Sequence, residues 1–141
     1  MATSKKHLEV KQSIIPKAGK GLFTTKPVKK GTRIAEYKGK ITTWKEAKDE
    51  PGDNVYIFYV NRNHVIDAKR SKAKARYAND ATGLSRVKGI TNNSRYIEDG
   101  VKVFIEAKQD IPAGSEILVG YGKEYWDNIR HNRKLKEKKK E

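Results

Sequence analysis

Gly114-Ser115-Glu116-Ile117-Leu118-Val119-Gly120-Tyr121-Gly122-Lys123-Glu124-Tyr125-Trp126 compresses a turn, a short apolar run and three aromatics into one stretch. The run Ile117-Leu118-Val119 is too short for a helix, follows a Gly turn and stops at Gly120, so it reads as a buried strand. Tyr121 then stands at a strand end between two glycines, whose lack of side-chain bulk lets a ligand approach the phenol. A turn aromatic without chemistry is the plainer reading of the same residues.

Immediately upstream, Asp110 to Ile117 repeats the phrase Pro27 to Ile34 at constant offset, pairing Val28 with Ile111, Gly31 with Gly114, Thr32 with Ser115 and Ile34 with Ile117. Two similar turn-into-strand units follow from this, and not a solenoid, which needs at least three repeats. Further strands are expected at Leu8 and Val10, from Ile34 through Tyr37 to Gly39, and at Val101-Val103-Ile105. A hairpin of Val55–Val60 with Val65-Ile66 turns at Asn61–Asn63 and ends at Asp67-Ala68. Gly19-Lys20-Gly21-Leu22-Phe23 is a Gly-rich turn, and a lone G-x-G is equally a hairpin loop or a ligand contact. Helix is confined to Trp44–Asp49, stopped by Pro51-Gly52, to part of residues 70–78, and to the stretch from Lys123 onward. Residues 79–94 read as loop.

The chain has 141 residues, 35% hydrophobic and 35% charged, which fits one domain with a small core. We divide it into a domain over 1–129 and a basic tail over 130–141. It has no cysteine, which excludes disulfides, thiolate nucleophiles and Cys-ligated zinc. No apolar run approaches a membrane span and the N-terminus has no secretory h-region, so a soluble intracellular protein is expected, cytoplasmic or associated with chromatin or nucleoid. The net charge is +15, of which +5 belongs to the tail, leaving a basic body that attracts nucleic acid or acidic partners. A solvated, fraying tail accounts for part of this equally well. Glu46, Asp49, Glu50 and Asp53 make a local acidic cluster that suits a basic partner, or a solvated helix cap.

No H-E-x-x-H, G-x-S-x-G or Walker loop is present, and His7, His64 and His131 stand apart. What does occur, in order, is Gly19–Phe23, Tyr37-Lys38-Gly39, Ile66-Asp67-Ala68, Arg76-Tyr77-Ala78-Asn79 and the stretch from Gly114 to Trp126. In this order they resemble the motifs of SET-domain protein-lysine methyltransferases over roughly residues 8–126. The resemblance implies a mainly β fold, a β-clip of several small curved sheets with few short helices, in which the C-terminal segment threads a pseudoknot that brings Asn79 to Tyr121. It implies methyl transfer from S-adenosyl-L-methionine to a lysine in a basic, chromatin- or nucleic-acid-associated protein. The implied catalytic residues are Tyr121 and Tyr56. Lys20, Gly21, Leu22, Arg76, Tyr77, Asn79, Asp80 and Trp126 are the expected cofactor contacts. Glu46, Asp49, Tyr56, Val119 and Tyr125 are the expected substrate contacts. No metal is expected, nucleic acid is a partner through the basic surface and tail, no membrane is engaged, and a homodimer stays open. The alternatives are an inactive SET-like module that binds nucleic acid or protein, or an unrelated structural β-clip.

Three departures from the family pattern bear on function. Asp80 stands where the family usually has His, which sets a carboxylate near the cofactor's own. Val119 stands where many members carry the Phe or Tyr that limits methylation degree. The zinc-binding Cys-rich flanks are absent, which leaves closure of the lysine channel to Tyr125, Trp126 or the tail.

Overall fold

The computed structural model describes residues 7–49, 56–82 and 86–121. Three small sheets make up the architecture. β1 (Leu8–Gln12) and β2 (Lys20–Thr24) form an antiparallel hairpin, with Leu8 opposite Thr24 and Gln12 opposite Lys20. β3 (Arg33–Glu36) pairs with β8 (Lys102–Ala107), which pairs with β7 (Ser94–Asp99). β4 (Lys40–Thr42) and β5 (Ile57–Asn61) flank β6 (His64–Asp67). All these pairings are antiparallel. One short helix, α1 (Trp44–Asp49), and a 3-10 turn at Lys74–Tyr77 complete the described elements.

The α1 boundaries follow from local chemistry. Thr43 stands three residues before Glu46, its hydroxyl accepts the Glu46 N–H at 3.3 Å, and its carbonyl accepts the Ala47 N–H at 2.9 Å, which caps the first turn. The repeated phrase also has a local cause. Thr32 donates its N–H to Lys29 and Ser115 donates to Pro112, each closing a four-residue turn whose third residue is Gly31 (φ 87°) or Gly114 (φ 84°). That is type II geometry, which asks for glycine at the third position.

Three expectations need correction. The strand through Ile34 to Gly39 breaks after Glu36, and the chain re-enters a different sheet at Lys40. Gly39 makes the crossing: a Cβ there would overlap the Asp67 carbonyl and stand 2.8 Å from the Ala68 Cα. Residues 94–99 are strand β7 and not loop, and Val101 sits exposed at the hairpin tip beside Gly100 (φ 63°). The alternation of Tyr96 and Ile97 with Arg95, Glu98 and Asp99 is weak, whereas Asp99-Gly100 is a hairpin signal that would have located the pair. Helix in residues 70–78 reduces to the four-residue 3-10 turn. The expected helix from Lys123 and the tail lie outside the described residues.

Ile117, Leu118 and Val119 are 0, 2 and 0% exposed, as a buried strand requires. They form single bridges instead of a regular ladder: Glu116 to Phe23, Leu118 to Asn79, and Val119 to Ser94. The Ile117 N–H donates to Leu22 at 2.7 Å, the Val119 N–H donates to Asn79 at 2.9 Å, and the Leu118 carbonyl accepts the N–H groups of Asn93 and Ser94. The segment therefore runs parallel to residues 79 and 94 on its two sides, between the two ends of one connection. This is the threaded arrangement that the resemblance implies, and it is unusual because chain connections seldom thread. Leu22, Ile34, Ile66, Ile105, Ile117 and Val119 share one core, so the three sheets converge on the threaded segment.

Candidate functional site

Three consecutive residues grip the end of the threaded segment. The 3-10 turn ends at Tyr77, and Ala78 is extended (φ −68°, ψ 124°), which opens residues 78–80 to sideways pairing. The Tyr121 hydroxyl donates to the Ala78 carbonyl. The Val119 N–H donates to the Asn79 carbonyl, and the Tyr121 N–H donates to Asp80 Oδ2 at 2.8 Å. Tyr121 is thus held at its peptide and at its phenol.

Asn79 also reaches the Gly-rich turn. Its Nδ2 donates to the Lys20 carbonyl at 3.0 Å and to Glu116 Oε2 at 3.3 Å. Glu116 is 4% exposed, and its carboxylate also accepts the Ser13 hydroxyl at 2.7 Å and the Ile14 N–H at 2.9 Å. Such a buried carboxylate requires these donors. Gly21 makes room for it, because a Cβ on Gly21 would stand 2.9 Å from Glu116 Cδ. Lys20, Gly21, Asn79 and Tyr121 are therefore brought together from three distant parts of the chain.

Arg76 lies over the rings of Tyr77 at 4.6 Å and Tyr56 at 5.3 Å, and it donates to the Tyr77 hydroxyl at 2.6 Å and to the Lys69 carbonyl. Its Nε is shielded from solvent and meets no acceptor among the described residues.

The aromatic wall beside Tyr121 was not legible in the sequence. The ring of Tyr96, on β7, stacks on Tyr121 at 6.3 Å between centroids with 26° between planes. Phe58 meets Tyr96 edge-on at 5.2 Å, and Tyr37 meets Tyr96 at 5.9 Å and Phe58 at 6.0 Å. The Tyr37 hydroxyl donates to the Tyr56 carbonyl at 2.7 Å, which ties β5's entry to this wall. Recognising β7 from its Asp-Gly turn would have placed Tyr96 on a core-facing strand.

The remaining expected residues distribute as follows. Leu22 and Val119 are wholly buried in the shared core, Leu22 lending its carbonyl to Ile117. Tyr56 packs against that core and under Arg76. Glu46 sits on α1, its Oε2 accepting the Thr42 hydroxyl at 2.7 Å, and α1 packs on β5 and β6. The Asp49 side chain, Glu50, Asp53, Tyr125 and Trp126 lie outside the described residues. Asp80 is 5% exposed and its carboxylate points inward. Oδ1 accepts the Thr82 N–H at 2.8 Å, the Thr82 hydroxyl at 2.7 Å and Asn92 Nδ2 at 2.9 Å, while Oδ2 holds Tyr121. No group of acidic and His side chains suited to a metal ion occurs among the described residues, and no helix among them is long and apolar enough to cross a membrane.

Comparison with known proteins agrees with this geometry. The SET domain model matches residues 19–122. The chain belongs to the SET-domain family. It is 30% identical over 116 residues to human histone-lysine N-methyltransferase 2D, an alignment spanning 78% of this chain and 2% of that protein. The Drosophila melanogaster histone-lysine N-methyltransferase trr is 28% identical over 109 residues, spanning 73% of this chain and 4% of its own. The chain thus spans only a small part of the length of these relatives. In three dimensions this SET domain resembles the methyltransferase domain of human PR domain-containing protein 2, with a TM-score of 0.63 and 25% identity over 84% of this chain and 79% of that one.

Proposed function

We propose that this SET domain is a protein-lysine N-methyltransferase that uses S-adenosyl-L-methionine. The observation that carries this reading is the Tyr121 phenol, anchored to the Ala78 carbonyl beside Asn79 and stacked on an aromatic wall. The residues present suit the cofactor: the Gly-rich turn and Asn79 are joined through the Lys20 carbonyl, and Arg76 supplies a cation whose Nε lacks an acceptor. Lys20, Gly21 and Leu22 would hold it from one side, and Arg76, Tyr77, Asn79 and the Asp80 backbone from the other. When bound, S-adenosyl-L-methionine supplies an electrophilic methyl group on a sulfonium centre.

What the chain itself supplies is orientation and exclusion of water. A lysine amine has a reference pKa near ~10.4, so it reacts only where the uncharged form is favoured by desolvation. Tyr96, Phe58 and Tyr37 offer apolar ring faces to the lysine stem, and such faces also accept a cationic product. The Tyr121 oxygen, its proton committed to Ala78, keeps lone pairs for the incoming amine. Holding amine and methyl in line accounts for most of the rate gain in such a site.

The charge of +15 favours retention on nucleic acid, where basic DNA- or RNA-binding proteins collect, and a lysine in such a protein is the proposed substrate. Glu46 and Asp49 would receive its basic sequence. Incubation with labelled S-adenosyl-L-methionine and a lysate of the source cell, followed by mass spectrometry of labelled bands, tests the reading. Label on a lysine side chain is the expected result. Absence of both label and cofactor binding by calorimetry would leave a non-enzymatic binding module.

A further inference from the structure

The methyl-transfer reading, on which this inference rests, gives no work to the Asp80 carboxylate. A buried charge is costly unless donors surround it. Asp80 has donors on both oxygens, and they divide by function: Oδ1 gathers Thr82 and Asn92, which belong to the connection enclosing the threaded segment, and Oδ2 takes only the peptide N–H of Tyr121 among the bonds described above. Asn92 is fixed in turn, because its Oδ1 accepts the Ala81 N–H at 2.8 Å. The enclosing connection and the candidate catalytic tyrosine are therefore linked through one side chain.

We propose that Asp80 is the positioning residue for Tyr121, setting the phenol against the Ala78 carbonyl by holding the peptide N–H at the other end of the same residue. A single anchor at the hydroxyl leaves the ring free to swing about that bond. Anchors from residues 78 and 80 on the N–H and the O–H remove that freedom, and stacking on Tyr96 completes the constraint. Two acceptor oxygens are needed because the donors arrive from opposite sides. An imidazole or an amide at position 80 cannot accept on both.

Asp80→Asn tests this. The amide has one acceptor oxygen, which stays with the three donors from Thr82 and Asn92 and turns an NH2 toward the Tyr121 N–H. In hydrogen exchange followed by NMR, the Tyr121 amide is expected to exchange roughly tenfold faster than in the unmodified protein. The Val119 amide, bonded to the Asn79 carbonyl, is expected to keep its protection. Turnover should fall roughly ten- to a hundredfold, with the cofactor dissociation constant unchanged. A purely structural Asp80 would instead loosen both amides together, and that result overturns the proposal, as does unchanged exchange at Tyr121 or unchanged turnover.

Should Asp80→Asn fail to fold, replacing the Tyr121 peptide N–H by an ester oxygen removes the donor alone and should reproduce the loss of turnover. Full activity in the ester variant overturns the proposal equally. If the unmodified protein transfers no methyl group, the methyltransferase reading falls with it, and the two amide exchange rates still decide whether Asp80 pins Tyr121.

Discussion

Val28 and Ile111 exchange both backbone hydrogen bonds, Val28 N–H to the Ile111 carbonyl at 2.8 Å and Ile111 N–H to the Val28 carbonyl at 2.7 Å. They are the matching residues of the two repeated phrases, so the repeat pairs with itself across the fold and delivers each turn to the next strand in the same way. Because Gly31 and Gly114 occupy the left-handed region at φ 87° and 84°, Gly31→Ala and Gly114→Ala should each cost about 1–2 kcal/mol in urea unfolding. A cost at only one of them would show that the two turns are not equivalent.

Glycines at the other functional positions differ sharply in what they tolerate. Gly39→Ala would drive a methyl group into the Asp67 carbonyl, a rigid backbone neighbour, and should destabilise by about 2–4 kcal/mol or prevent folding. Gly120→Ala meets only Asn92 Nδ2 at 3.6 Å, an ordinary contact, so its melting temperature should move by a degree or two at most, about 0.5 kcal/mol. Calorimetric melting of the two variants side by side makes the comparison.

Tyr121→Phe removes one hydroxyl and keeps the ring that stacks on Tyr96. The Ala78 carbonyl loses its donor, at about 1 kcal/mol of stability. Turnover should fall by roughly ten- to a thousandfold with cofactor binding retained. Calorimetry with S-adenosyl-L-methionine and initial rates on the same preparation check both halves, and unchanged rates would remove Tyr121 from the mechanism.

Asn79→Ala should weaken cofactor binding by roughly 1–3 kcal/mol. The bonds of its amide to the Lys20 carbonyl and Glu116 also give it a share in the fold. The variant without cofactor should therefore lose about 1–2 kcal/mol in denaturant unfolding. A cofactor effect no larger than this loss would make Asn79 structural.

Reversal of charge at Glu46 and Asp49 should raise the KM for a basic peptide and leave S-adenosyl-L-methionine binding unchanged, with a difference that shrinks as salt rises. Equal KM values at low salt would reduce the acidic segment to a solvated cap. Deletion of residues 130–141 should lower retention on immobilised nucleic acid while the peptide reaction is less affected.

What the sequence by itself determined is local. A type II turn announces itself through the glycine it requires, which is why Gly31 and Gly114 were legible. α1 was readable from helical composition and the Pro51-Gly52 stop, and the Leu8 and Val10 strand from alternation. The ordered motifs from Gly19 to Tyr121 carried the family, and with it the pairing of Asn79 and Tyr121. Tertiary structure decided the rest, since each remaining feature is a relation between residues far apart in the chain. Gly39 needs its missing Cβ because Asp67 crosses it, whereas Gly120, equally suggestive in sequence, does not. Tyr96 became part of the site because β7 pairs with β8 and turns its ring onto Tyr121. Asp80, which read as a charge awkwardly close to a cofactor, folds inward because the threaded segment presents it with the Tyr121 N–H. Periodicity and composition register a residue's neighbours along the chain, and the direction in which a buried carboxylate points is set by donors that arrive only when the fold has closed.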